Sequence, residues 1–559
     1  MKFSKKKKAG ILLVGIFAVV LGFYSFNQDD KNFQIAKNLD IYYSVVKELN
    51  MFYVDNIDPN KLVKTSIDDM LESLDPYTNY IPEDDMEDFR FMTTGEYAGI
   101  GALISKQKGK IVIAEPYEGF PAQKAGLKAG DVLLEVAGKS TENLSTQDVS
   151  NLLKGPANKP VQVKIQRYGE KKPMDIEVLR KEIQIDPVQY YGMLDKETGY
   201  IRLSSFTVDC SQRVKAALID LKGKGARSLV LDLRSNPGGL LDEAVHIVNF
   251  FVPKGQEIVS TRGKVKQWDK TYYATEEPID TVMPLAVLVN RGSASASEIV
   301  TGAMQDLDRG VIIGTRTFGK GLVQTTRDLS YNAKLKVTTA KYYIPSGRCI
   351  QALDYSHRNE DGSVGTIPDS LISKFNTKKG RIVFDGGGVA PDIKVDTDVL
   401  SNLASNLVTQ SMIFDYATYF NYKNEKIAPP ESFTITPEIY ADFTQFLKSQ
   451  DFKYESKSEE EFDKLVDVAK REKYYDIAKD QFEKLKTDLG HNIDQDLQHF
   501  KPEISELLTD EIVSRYYYQK GAIKASLSRD NDIKKALETL HSSQAYAAVF
   551  DAGKVIKVN

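Results

Sequence analysis

Two cysteines, Cys210 and Cys349, are all that 559 residues contain, so no disulfide scaffold holds this chain together. A single bridge in an oxidising compartment is the most they can form. Five scattered histidines show no metal-ligand spacing, and none lies between Pro284 and Gln324. That argues against a histidine-centred triad built there. Neither sign of charge prevails: 74 Lys and Arg face 78 Asp and Glu, a net charge of −4, so no basic surface for nucleic acid is expected. Long apolar runs are missing too, with one exception. Ala9 to Phe26 carries no charge and follows Lys5 to Lys8. Its length is near the minimum for a membrane span, and the lysines would stay in the cytoplasm. A cleaved signal peptide is the alternative, but no small-x-small cleavage site precedes Asn27. An anchor in the cytoplasmic (inner) membrane is therefore expected, with the remainder periplasmic or otherwise extracytoplasmic.

The stretch from Pro284 to Gln324 carries the chemistry. Leu285 to Val289 is a short apolar run with β-branched residues, as in a buried strand. Ile299, Val300, Ala303, Met304 and Leu307 then recur at helical spacing, and Gly310 offers a helix stop. Ser293, Ser295 and Ser297 thus fall at the mouth of a helix. A serine there exposes its hydroxyl, and the first amides of the helix, chiefly that of Ala296, are unpaired and suited to an oxyanion. Lys320, within the string TFGKGLVQ (317–324), is the nearest base. It can serve only if burial brings its pKa towards neutrality. The chain looks extended from Leu322, which predicts Lys320 and Gln324 on one strand face, with Gln324 able to bond the amine without charging it. Gly314 to Lys320 nearly spells a phosphate-binding loop, but Gly321 stands where the motif needs Ser or Thr. Taken singly, Ser293 or Ser295 reads equally as a helix cap, and Lys320 as a solvated turn residue.

The string SASASE (293–298), a helix and then TFGKGLVQ resemble the carboxy-terminal processing peptidases, also called tail-specific proteases. The resemblance implies a serine peptidase with Ser295 as nucleophile, Lys320 as general base and Gln324 as orienter of the lysine. It needs no metal and no cofactor. It extends to the turn DLRSNPGG (232–239), where it gives Gly239, less surely Gly238, a backbone amide in the oxyanion hole beside that of Ala296. The residues alone read this turn as a βα connection that needs glycine. Asp306 also fits the family pattern, and a hydrogen bond at the helix end is the expected role. GGGVAPD (386–392) resembles the end of the family's core and reads as a structural turn.

Between Tyr97 and Val178 the pattern changes to short strands and one helix, the latter capped by Ser145 with Asp148 three residues on. PAQKAGLKAGD (121–131) is its most telling string, and the unit resembles a PDZ domain. By that resemblance Gly99, Ile100, Gly101 and Ala102 form the loop whose N–H groups take a peptide's terminal carboxylate. The expected substrates are proteins with free apolar C-termini. As a control step, the empty PDZ domain is expected to block or disorder the Ser–Lys site.

The expected architecture is multidomain α/β. Residues 1–26 are the signal segment, 31–92 a helical region, and 97–180 a PDZ domain inserted into a crotonase/ClpP-like βα core that continues over 181–395. In the helical region, Ile35, Leu39, Tyr42, Val45, Val46 and Leu49 form one apolar face. LDPYTNYIP (74–82) resembles the segment before the PDZ domain in the same family, and Glu83 to Asp85 read as a solvated helix start rather than a metal site. Residues 401–559 contain only three glycines and read as a helical extension: a brace on the core, a homo-oligomer contact or a surface for an adaptor protein. The functional expectation is an exported serine endopeptidase that processes or quality-controls envelope proteins. A non-catalytic PDZ scaffold is the alternative from another class, and a hydrolase of non-peptide esters or amides leaves the PDZ domain without a task.

Overall fold

The structure, a computed structural model, describes residues 31–359, 361–396, 399–454, 457–489 and 492–556. The expected membrane segment lies outside these residues. Among the described residues no helix is long and apolar enough to cross a membrane. The described chain divides into two compact units, residues 31–80 with Leu335–Val337, and the remainder.

In the first unit, residues 31–52 are helical, and Ile35, Leu39 and Val45 of the expected apolar face are exposed. A second helix, Pro59–Glu72, starts where the Asp58 carboxylate accepts from the N–H groups of Asn60 and Lys61.

The second unit is built on a six-stranded sheet. Its order is Val188–Met193, Thr198–Leu203, Ser228–Asp232, Leu285–Val289, Val311–Gly314 and Ile393–Lys394. The first pair is antiparallel and every later pair is parallel. Apolar residues run continuously along the central strands because both faces are covered. Leu229, Leu231, Leu285, Val287 and Val289 face a core shared with helices Cys210–Gly223, Leu241–Asn249 and Ala296–Asp306. Tyr200, Val230, Ala286, Leu288, Val311 and Ile313 face the other way, onto Ile533, Ala536, Leu540 and Phe550. The last part of the extension is therefore the outer layer of the core sheet. A second sheet joins Lys334–Tyr343 to Leu322–Asp328 on one side and to Glu257–Gly263 on the other.

The PDZ unit has its own five-strand sheet of Ala102–Gln107, Lys110–Pro116, Val132–Val136, Pro160–Gln166 and Met174–Leu179, with Lys139–Ser140 paired at its margin. Thr146–Leu153 is the expected helix. Ser145 caps it and the Asp148 carboxylate accepts from the Ser145 N–H at 3.0 Å. Strands Glu96–Gly99 and Lys181–Gln184 pair antiparallel and form the stem through which this unit leaves and rejoins the chain. Helices between Asn402 and Ser526 surround a separate core that includes Tyr416, Phe443, Ile504 and Ile512. Both cysteines are free thiols.

Candidate active site

Three serines compete for the role of nucleophile, and their surroundings separate them. Ser293 is fully buried; its hydroxyl donates to the Leu233 carbonyl at 2.7 Å and accepts from the Asn290 N–H. Ser297 is fully buried and donates to the Asn236 carbonyl at 2.9 Å. Both staple the turn before the helix to the turn 232–239. Ser295 alone keeps partial exposure. It caps the helix Ala296–Asp306 with φ 56° and ψ −113°, a conformation that an L-residue keeps only when its surroundings impose it.

Those surroundings centre on Glu298, which is fully buried. Its Oε2 accepts from the Ser295 N–H at 2.9 Å and the Lys320 N–H at 2.8 Å. Its Oε1 accepts from the Thr317 hydroxyl at 2.5 Å and the Gly319 N–H at 2.7 Å. Burial pushes the carboxyl up to about 7, although these donors pull it down. On the carbonyl side, the carbonyls of Ser295, at 3.1 Å, and Lys320 share the single proton of the buried Tyr342 hydroxyl. The backbones of Ser295 and Lys320 are thus joined twice, through their N–H groups and through their carbonyls.

The glycine turn reaches the same place. Asn236 organises it: its Nδ2 donates to the Leu203 carbonyl, its Oδ1 accepts from the Gly238 N–H at 2.9 Å, and its carbonyl accepts from the Ala294 N–H. Gly238 adopts φ 98°, and a Cβ there would lie 2.8 Å from Ser295 Cβ and 2.9 Å from the Ala296 nitrogen. Only glycine allows that approach. The Gly238 N–H is committed to Asn236, which leaves Gly239 as the member of the pair with an N–H for a ligand. Gly239 itself is pressed against the Phe206 carbonyl, 2.3 Å from where a Cβ would stand.

Other expectations land differently. The strand begins at Leu322, so Lys320 sits in the turn before it rather than on one strand face with Gln324. The Gln324 amide donates to Thr338 Oγ1 at 3.1 Å. Asp306 does bond at the helix end: it pairs with the buried Arg348 at 2.8 Å and accepts from the Ser346 N–H at 3.0 Å. In the PDZ unit, Gly101 adopts φ 72°, and the carbonyls of Ile100 and Gly101 accept from the N–H groups of Ala122 and Tyr117. Gly99 packs under the Tyr97 ring, whose hydroxyl faces the N–H groups of Gly101 and Ala102.

Sequence reasoning missed Glu298, Tyr342 and Asn236 as parts of the site. Glu298 had a visible cue, since Ser295 and Glu298 stand at capping-box spacing. Asn236 stood in the string DLRSNPGG, where only the glycines were assigned a part, whereas Tyr342 acts on two backbone carbonyls and leaves no motif.

A serine on a strained strand-to-helix turn, bound to a lysine-bearing segment and joined to an inserted PDZ domain, belongs to a serine peptidase. Comparison with known proteins gives the particular family. Residues 197–369 match peptidase family S41, 112–167 a PDZ domain, and 403–540 the C-terminal helical domain of probable PDZ-proteases. A carboxy-terminal-processing protease of Bartonella bacilliformis is 38% identical over 371 residues, covering 66% of this chain and 81% of that protein. A probable CtpA-like serine protease of Staphylococcus aureus is 32% identical over 468 residues, covering 82% and 91%. Among solved structures, a photosystem II D1 C-terminal processing protease is 31% identical, covers 64% of this chain and 88% of that one, and aligns with a TM-score of 0.35. The chain belongs to peptidase family S41, with the carboxy-terminal-processing proteases.

Proposed function

We propose that this chain is an exported endopeptidase that cuts proteins presented by a free apolar C-terminus, using Ser295 and Lys320 as a dyad. The observation that carries this reading is the double tie of Ser295 to Lys320 through Glu298 and Tyr342. Proton transfer needs donor and acceptor held in register, and a buried clamp on both backbones supplies that. Burial pushes the Glu298 carboxyl up to about 7, so it is partly neutral near pH 7. It therefore does less to keep a neighbouring ammonium charged than an ordinary carboxylate would.

In the proposed cycle, neutral Lys320 takes the Ser295 proton as the oxygen attacks the peptide carbonyl. The N–H groups of Ala296 and Gly239 receive the developing oxyanion, and lysinium protonates the leaving amine. Water then releases the acyl group. Gln324, held by Thr338, orients the lysine. The loop Gly99–Ala102 receives the substrate's terminal carboxylate, and residues 9–26 anchor the enzyme outside the cytoplasm.

The test uses the detergent-solubilised full chain with an unstructured protein ending in an apolar tail, free or amidated, and follows cleavage by mass spectrometry. The expected result is cleavage that favours the free carboxylate and disappears in both Ser295→Ala and Lys320→Ala. Cleavage that persists in Lys320→Ala would overturn the dyad, and equal cleavage of the amidated protein would overturn tail recognition.

A further inference from the structure

The loop Gly99–Ala102 leads into Ala102–Gln107, which is the edge strand of the PDZ sheet. The Tyr117 N–H donates to the Gly101 carbonyl at 2.9 Å, and Ala102 stands opposite Pro116. In an antiparallel ladder bonded and non-bonded pairs alternate, so the Ala102 N–H turns outward, to the free edge. Helix Thr146–Leu153 runs beside that edge. Ile100, Val149 and Leu153 share one buried apolar cluster, with Ile104 and Leu152 packed against it. An added strand with an apolar last residue fits here, its carboxylate on the N–H groups of Gly101 and Ala102.

That place already holds an oxygen. The Tyr97 hydroxyl faces the same two N–H groups. Its ring lies over Gly99, where a Cβ would stand 2.6 Å from Tyr97 Cε2 and 3.0 Å from Cδ2. Gly99 pairs with Lys181 in ordinary strand conformation, so the missing side chain makes room for the ring and serves no turn. Phe91 meets the ring edge-on at 5.2 Å. Burial, with Tyr117 alongside, holds the phenol well above its ordinary value, so the group on the loop is a neutral hydroxyl. A carboxylate is the stronger acceptor and can take its place. Tyr97 also lines a cavity of about 510 Å³ with Phe89, Arg90, Thr93 and Glu182, which gives a displaced ring somewhere to go.

We propose that Tyr97 is a built-in competitor for the tail site: its hydroxyl stands in for the substrate's terminal carboxylate on Gly101 and Ala102, and the ring swings into the neighbouring cavity when a tail binds. This rests on the reading of the PDZ unit as the tail-binding site. Tyr97 then sets the affinity for tails, because only the fraction of molecules with the ring displaced can accept one. A chain end that offers a weaker acceptor than a carboxylate is left with less to gain from displacing it.

The test measures binding of a fluorescent peptide with an apolar tail, free or amidated, to the detergent-solubilised full chain carrying Ser295→Ala, so that no cleavage intervenes. Tyr97→Phe keeps the ring packing against Phe91 and removes the oxygen that holds it on the loop. The Kd for the free tail is expected to fall by about 5- to 30-fold in this variant, as removal of one or two competing hydrogen bonds of ordinary strength gives. A residue that merely supports the fold would weaken binding when altered, so the direction of the change is the readout. Preference for the free carboxylate with an unchanged or higher Kd in Tyr97→Phe would overturn the competition and leave tail recognition standing. No preference for the free carboxylate in either chain would overturn tail recognition, and this proposal with it.

Discussion

Glu298 ties four residues of the site together, accepting from Ser295, Thr317, Gly319 and Lys320. Replacing it with Gln turns an amide N–H₂ towards at least two of the four donors it now accepts. Each buried donor left without an acceptor costs about 1–3 kcal/mol. Glu298→Gln should therefore lose about 2 kcal/mol or more of stability, and kcat should fall because Ser295 and Lys320 are no longer clamped. The pH dependence has a definite sign. Burial raises the carboxyl from an ordinary 4.5 to about 7, so the folded chain holds this proton more tightly than the unfolded one. Its stabilising contribution is complete below the unfolded value and is lost as pH rises through about 7. Urea unfolding of wild type and variant should show the gap between them narrowing from about pH 4.5 to 7 and level above that. A gap that widens with pH would contradict the assignment. At this scale the sequence was legible wherever a residue type is itself a cue. Ser295, Lys320 and Gly239 stand in strings with few other readings. The partners that converge on Glu298 come from residues 295, 317, 319 and 320, and nothing in linear order says that they meet.

Elements decide which of those strings come close. Strand Ser228–Asp232 lies parallel to Leu285–Val289, with Asp232 opposite Leu288, so both strands end at the same edge. The turns that follow them, 233–239 and 290–295, must then face each other. Alternating apolar runs and glycine breaks made both βα units readable in the sequence, but their adjacency belongs to sheet order. Gly238 records how close the contact is. An added Cβ would meet the Ala294 carbonyl oxygen at 2.6 Å as well as Ser295 and Ala296, and φ 98° disfavours any side chain. In the proposed mechanism the Gly239 N–H donates to the oxyanion, and Gly238→Ala should push the turn away and carry that N–H out of reach. Loss of one oxyanion donor costs about 10²- to 10³-fold in kcat. We expect a fall of about 10²-fold or more with KM little changed, measured on a peptide ending in an apolar tail. A kcat within a few-fold of wild type would remove the glycine turn from the mechanism.

For the molecule as a whole, the C-terminal extension is the part that the sequence described least. Its helices were plain from periodicity and scarce glycine, yet brace, oligomer contact and partner surface stood as equal readings. The structure divides it. Residues up to Ser526 form a helical domain with its own core, whereas Asn531–His541 and the residues after it close the outer face of the catalytic sheet. Periodicity cannot separate these two fates, because an amphipathic helix looks the same whether it packs on helices or on a sheet. Even the final described residues join the core: the Ile382 N–H donates to the Lys554 carbonyl and the Ile556 N–H to the Ile382 carbonyl. A chain ending at Ser526 keeps every residue of the active site and the whole PDZ domain. It exposes Tyr200, Val230, Ala286, Leu288, Val311 and Ile313, all now buried to within 1% of complete. At about 1.5–3 kcal/mol for each large side chain, that loss rivals the entire stability of a typical domain, about 5–15 kcal/mol. The truncated chain should therefore be insoluble, or should unfold without a cooperative transition in calorimetry, and should show no peptidase activity. An active, cooperatively folded chain ending at Ser526 would mean that the sheet does not need this outer layer. Arg234, now paired with Asp530 and Asp532 as well as Asp232, would then have to hold the glycine turn through Asp232 alone.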